Sequence, residues 1–175
     1  MKKYVALLRG INVSGQKKIK MTELKSALVA AGLTTVETYI QSGNLVFETE
    51  LSEEESTQLI ERVILEDFGF EVPTLVLEQS YFRFVLDNNP FLQRGEDNKK
   101  LYVCFMMDIP TEESKLTLAE TDLKGDEYHI IDQLIYTCYH QGAGKTKMDN
   151  NLLERKLKVR ATSRNWNTVG KLGEM

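Results

Sequence analysis

Apolar positions change their period several times along the chain, and each change marks an element. A short apolar run at 3–9 reads as a buried strand. From 22 to 31, Leu24, Leu28 and Ala31 share one helical face; Thr22 is placed to cap this helix and Gly32 to end it. Residues 36–41 are β-rich, Ser42-Gly43-Asn44 forms a short hairpin connection, and 45–50 is the returning strand. Ser52 and Glu55 make a capping box for a helix at 53–68, where Leu59, Ile60, Val63 and Ile64 form the apolar face and Gly69 the stop. A strand is expected at 72–78. The order is β-α-β-β-α-β, the split βαβ arrangement called ferredoxin-like.

The second half repeats the rhythm without residue-level self-similarity. Ser80 opens a short helix at 81–87, which Asn88-Asn89-Pro90 ends. Strands are expected at 101–108, 126–132 and 133–140, and helices at 110–121 and 150–157. A short strand at 159–163 and a last helix at 165–172, capped by Ser163, complete the pattern. The fold class is therefore α+β, with two ferredoxin-like subdomains in tandem. The boundary falls within 78–99, where Asn88, Asn89, Pro90, Gly95 and Asn98 cluster, giving subdomains 1–78 and 79–175.

Composition changes this picture little. The chain has 175 residues, 42% hydrophobic and 27% charged, as an ordinary globular protein does. Met1-Lys2-Lys3 before an apolar run looks like the start of a signal peptide. That run is too short, and Arg9 ends it, so a cytoplasmic location is expected, with no membrane partner. Cys104 and Cys138 sit in apolar segments and read as buried reduced thiols; no Cys-x-x-Cys pair exists. Charge is more informative. Residues 1–50 carry seven Lys/Arg and four Asp/Glu (+3), residues 51–140 carry seven and nineteen (−12), and residues 141–175 carry eight and three (+5). Two basic ends, brought together, would form a positive patch on an acidic body.

Three stretches invite chemistry. Arg9 to Lys18, RGINVSGQKK, combines Arg9, Lys17 and Lys18 with Gly10 and Gly15 and the polar Asn12, and a helix follows it. Cations, glycine-relieved backbone and a helix N-terminus are the parts of an anion site. Gly142-Ala143-Gly144-Lys145-Thr146 ends as a P-loop does, but Tyr139 stands where the first glycine is required. It reads as a turn in which Lys145 could face an anion. The run Arg160 to Asn167 offers Arg160, Arg164 and Asn165, with Trp166 as a packing anchor. Catalytic residues are not evident. Cys138 and His140 share a strand face, a poor geometry for a thiolate–imidazole pair. Spacing supports no metal site, and no cofactor is expected.

The segment LLRGINVSGQKKIKMTELKSALVAAGLTTVETYIQSGNLVF at 7–47 and the segment ATSRNWNTVGKL at 161–172 closely resemble the DUF1697 family of uncharacterised bacterial proteins. The RGIN loop, the Y-x-QSGN hairpin and the RNW-x-TV-x-KL terminus are its distinctive parts. The resemblance implies two α+β subdomains of ferredoxin-like character and no assigned activity. It directs attention to Arg9, Gly10, Asn12, Tyr39, Ser42, Gly43, Asn44, Arg164, Asn165 and Trp166.

The expected function is binding of a phosphate-bearing or other anionic ligand, such as a nucleotide. The site would combine Arg9, Gly10, Asn12, Lys17, Lys18, Tyr39, Ser42 and Asn44 with Lys145, Arg160, Arg164 and Asn165. A nucleic-acid segment is the weaker form of the same idea, because the pI of about 5.4 opposes broad backbone binding. The rivals are an enzyme that stabilises a small anionic substrate with Arg, Lys and Asn alone, and a protein–protein adaptor that pairs with another copy or a partner.

Overall fold

The computed structural model describes residues 1–175. The chain divides into two units, Met1–Phe84 with Leu172–Met175, and Val85–Lys171. Each is built on a four-stranded antiparallel sheet with helices.

The first unit runs β1 (Lys2–Leu8), α1 (Met21–Ala30), β2 (Thr34–Tyr39), β3 (Asn44–Thr49), α2 (Glu53–Phe68) and β4 (Thr74–Glu78). Its sheet order is β2-β3-β1-β4, and every neighbouring pair is antiparallel. Tyr4, Ala6 and Leu8 of β1 join Leu45 and Phe47 of β3, Leu24 and Leu28 of α1, and Ile60 and Ile64 of α2 in one buried cluster. Val5 and Leu7, on the other face of β1, are also buried. This two-sided burial explains why the strand reads as a continuous apolar run rather than an alternation. Each large side chain so buried contributes about 1.5–3 kcal/mol relative to its exposed state. The capping box of α2 is present as expected: the Ser52 side chain accepts from the Glu55 amide, and the Glu55 carboxylate accepts from the Ser52 amide. Gly69, in the left-handed region at φ 73°, stops the helix.

The second unit holds the end of α3 (Tyr81–Asp87), then α4 (Pro90–Gln93), β5 (Leu101–Met106), α5 (Glu112–Ala119), β6 (Glu127–Ile131), β7 (Leu134–Cys138), α6 (Asn150–Leu157), β8 (Ala161–Asn165) and most of α7 (Trp166–Glu174). Its sheet order is β6-β7-β5-β8, the same pattern as in the first unit, again antiparallel throughout. Cys104, Met106 and Ile135 pack with Leu118 of α5 and Leu153 and Leu157 of α6. Cys104 and Cys138 are both buried, and neither is in a disulfide.

Two expected helix starts differ. Thr22 does not cap α1; the helix begins at Met21 with Lys20 at the N-cap and no side-chain cap bond, because Met21 turns inward into the core. Ser163 does not cap α7. The strand β8 continues through Asn165, whose Oδ1 accepts from the Thr168 amide at 2.8 Å, while Ser163 donates to Asn150 at 2.8 Å. Asn89 and Pro90, expected only to end a helix, also open α4, with Asn89 Oδ1 accepting from the Phe91 amide at 3.0 Å. No helix is long and apolar enough to cross a membrane.

Candidate functional site

The loop that leaves β1 is a small hairpin rather than an open phosphate cradle. Val13 bridges Gln16, and the Gln16 amide donates to the Val13 carbonyl at 2.9 Å. The two residues between them, Ser14 (φ 50°) and Gly15 (φ 76°), both have positive φ, the signature of a type I′ turn. The Asn12 amide donates to the Lys17 carbonyl at 3.2 Å, one step further down the hairpin. These bonds occupy the Asn12 and Gln16 amides, two of the donors an anion would otherwise recruit.

Asn12 is the clamp of this loop. Its Nδ2 donates to the Ile19 carbonyl at 2.9 Å and to the Gln41 carbonyl at 2.8 Å, and its Oδ1 accepts from the Ile19 amide at 2.9 Å. At φ 54° it occupies the left-handed region that asparagine tolerates better than most residues. Leu8 reinforces the link by donating its amide to the Gly43 carbonyl at 2.8 Å. Gly43 sits so close that a Cβ there would lie 2.7 Å from Leu8 Cβ and 2.9 Å from Ile11 Cδ1. Asn44 closes the other side: fully buried, its Nδ2 donates to the Tyr39 carbonyl at 2.9 Å and to Ser42 Oγ at 3.0 Å. The RGIN and QSGN motifs are thus two halves of one interlocked turn.

Several predicted ligand-binding residues of the first unit therefore have structural work. Asn12, Ser42 and Asn44 build the turn, and Tyr39 lends it a carbonyl. Lys17 donates its ammonium to the Glu71 carbonyl at 2.6 Å. The half-buried Arg9 donates its amide to the Pro73 carbonyl at 2.9 Å, and Gly10 lies exposed at φ 71°. Lys18 is exposed, and its ammonium has neither hydrogen bond nor ion pair.

Beside the hairpin lies a cavity of about 710 Å³ lined by Asn12, Lys18, Ile19, Lys20, Met21, Thr22, Glu23, Thr38, Ile40 and Gln41. The α1 N-terminus opens on it. Leu24 is the first residue to donate within the helix, to Lys20 at 3.0 Å, and no side chain caps the amides of Met21, Thr22 and Glu23. Two lysines and one glutamate line the cleft. Lys20 pairs with Glu23 at 2.9 Å, both exposed, and this neighbour raises the Lys20 pKa.

The remaining predicted residues are in the second unit. Arg160 makes a two-pronged pair with Asp108, at 3.0 and 2.8 Å, and donates its amide to the same carboxylate at 2.8 Å. These contacts hold the Asp108 carboxyl below its usual range. Arg164 is buried, donating to Thr162 Oγ1 at 2.7 Å and to the Ser163 carbonyl at 2.9 Å; burial pulls its pKa down to about 10. Asn165 caps α7. Lys145 lies exposed in a turn closed by its own amide on the Gly142 carbonyl at 3.1 Å, and Thr146 of the GKT triplet donates to Asp126. The anion set expected from the sequence is therefore divided between the units, and Asn12 and Lys18 are its members that line the cleft.

A polar network in the second unit escaped the sequence reading. Arg94 pairs with both oxygens of Glu127, at 3.0 and 2.7 Å, and with Glu96 at 2.9 Å. His140 Nε2 lies 2.6 Å from Glu127. Arg94, and then His140, pull the Glu127 carboxyl down to about 2. The Cys138 thiol is pushed up to about 11, chiefly by burial and then by Glu96 and Glu127. That shift opposes a thiolate nucleophile. The two-residue spacing of Cys138 and His140 was the one sequence signal here; Arg94, Glu96 and Glu127 are brought in by the fold.

Fold and site define an α+β protein of two antiparallel sheets, with a basic cleft at one helix start. The profile of DUF1697, described as a protein of unknown function, matches residues 1–136. The chain belongs to this family. The match includes both interlocked motifs and stops short of the RNW-x-TV-x-KL terminus. A conserved bacterial protein from Streptococcus pneumoniae has a similar solved structure, with 25% sequence identity, a TM-score of 0.77, and coverage of 99% of this chain and 97% of that one. No curated protein matches the chain significantly.

Proposed function

We propose that the first unit binds a compact anionic ligand, a phosphate-bearing small molecule such as a nucleotide, in the cleft at the α1 N-terminus, and that both units are ferredoxin-like. The observation that carries the reading is the meeting of three uncapped helix amides with the unpaired Lys18 ammonium on the wall of one cavity. Helix N-terminal amides and an adjacent cation favour an anion together. Glu23 lowers the positive field, and the net charge of −4 opposes long-range attraction of a polyanion, so a small ligand fits better than a nucleic-acid strand. The lining offers hydrogen-bond groups and cations, which suit the binding of a small anion. The ferredoxin-like reading rests on the β2-β3-β1-β4 order and its repetition in the second sheet.

A thermal-shift panel of orthophosphate, nucleotides and sugar phosphates tests the function. A ligand present at 100 times its Kd stabilises by about 2.7 kcal/mol and raises the melting temperature. Replacing Lys18 and Lys20 by alanine should weaken that ligand about tenfold or more. A panel without any shift, or a double variant that binds as tightly as the parent, refutes the proposal.

A further inference from the structure

We propose that Glu96, Cys138 and His140 of the second unit bind a divalent transition-metal ion of the borderline-soft class typified by Zn²⁺, with Glu127 holding the His140 ring. One donor atom from each of the three residues lies within 4.8 Å of the other two. Bond lengths of about 2.0–2.3 Å separate tetrahedral ligands by about 3.5 Å, so small side-chain rotations close the set around an ion. Thiolate, imidazole and carboxylate together suit such an ion, whereas magnesium and calcium prefer oxygen alone.

The fold brings Glu96 from one segment to Cys138 and His140 of another. Cys138 is the last residue of β7 and stands opposite Glu127 on β6, so the two share a sheet face. His140 follows Cys138 by two residues. Glu96 follows α4 and is tied by its amide to the Phe91 carbonyl at 3.2 Å. Cys138 is buried, Glu96 half-buried and His140 exposed, so an ion reaches the set from the His140 side. Glu127, at 2.6 Å from the His140 ring, is the outer carboxylate that metal-bound histidines ordinarily have.

With Cys138 as a thiol, the carboxylates of Glu96 and Glu127 face Arg94, and Lys100 also acts on Cys138. A divalent ion bound here displaces the thiol proton to solvent, so that the thiolate and the Glu96 carboxylate face the metal. Arg94 keeps both of its bonds to Glu127 while Glu96 turns to the ion. Three protein ligands leave a fourth position for water or a ligand. This site is separate from the anion cleft and does not depend on it.

The test is a titration of the metal-free full chain with Co²⁺, a spectroscopic stand-in for Zn²⁺. We expect thiolate-to-cobalt charge transfer in the near ultraviolet and visible d–d bands of tetrahedral strength, saturating at one ion per chain. Zn²⁺ should abolish both. Cys138→Ser should remove the charge-transfer band, while Cys104→Ser, at the chain's other thiol, should keep it. His140→Gln should weaken Zn²⁺ binding by about tenfold or more, and Glu127→Gln by roughly 10–100-fold. No band in the parent chain, or a band that survives Cys138→Ser, overturns the proposal. Should circular dichroism show that Cys138→Ser is unfolded, Glu96→Gln and His140→Gln decide: unchanged Zn²⁺ affinity in both overturns it.

Discussion

Gly43 shows how one residue can be mistaken for a ligand contact. It sits in a distinctive motif, yet its φ of 83° and its approach to Leu8 and Ile11 give a sufficient physical reason for glycine. Gly43→Ala adds a left-handed alanine to an overpacked contact and should destabilise the chain by roughly 2–4 kcal/mol in denaturant titrations. Asn12→Ala leaves the Ile19 amide and two carbonyls without their side-chain partner and should cost about 1–3 kcal/mol. Glu127 sets a pH dependence. Its carboxyl titrates at about 2 when folded, below the unfolded value, so its stabilisation is complete above about pH 5 and is lost as pH falls toward 2. Glu127→Gln should flatten the fall of the urea midpoint across that range; an unchanged slope would show that the Arg94 and His140 contacts do not contribute.

Among the elements, helix starts carry the clearest contrast. α2 has a complete capping box, and Ser52→Ala should destabilise it by about 1 kcal/mol, read as a lower urea midpoint with unchanged slope. α1 starts without any side-chain cap, beside a cleft with two lysines. The strands were legible because β-rich apolar runs stand between turn residues. The α1 start was not, since Thr22 has the right chemistry for a cap but the wrong position once Met21 is drawn into the core. The hairpin at Asn12 to Lys17 was missed for a similar reason. Glycine, lysine and polar residues suit both an anion loop and a type I′ turn, and only the Val13–Gln16 bridge distinguishes them.

For the molecule as a whole, the chain end matters. Residues 172–175 return to the first unit, where Leu172 is fully buried, its carbonyl accepts from Gln79 Nε2 at 3.1 Å, and Lys3 donates to the Met175 carbonyl. They meet it near the start of β1, whereas the hairpin leaves its end. Removing 172–175 should therefore destabilise the chain by roughly 2–4 kcal/mol, measured by chemical denaturation. An unaltered midpoint would mean that the returning segment adds nothing to the first unit. By itself the sequence determined the alternation of strands and helices, the α+β class and the family, because these depend on local periodicity, capping and motifs. The tertiary structure decided which polar residues remain available. Asn12, Asn44, Arg160 and Asn165 are consumed by turns, a cap and an ion pair, while Glu96 is brought from a distant segment to Cys138 and His140. Such partners are chosen by through-space proximity, which a pattern along one dimension does not contain.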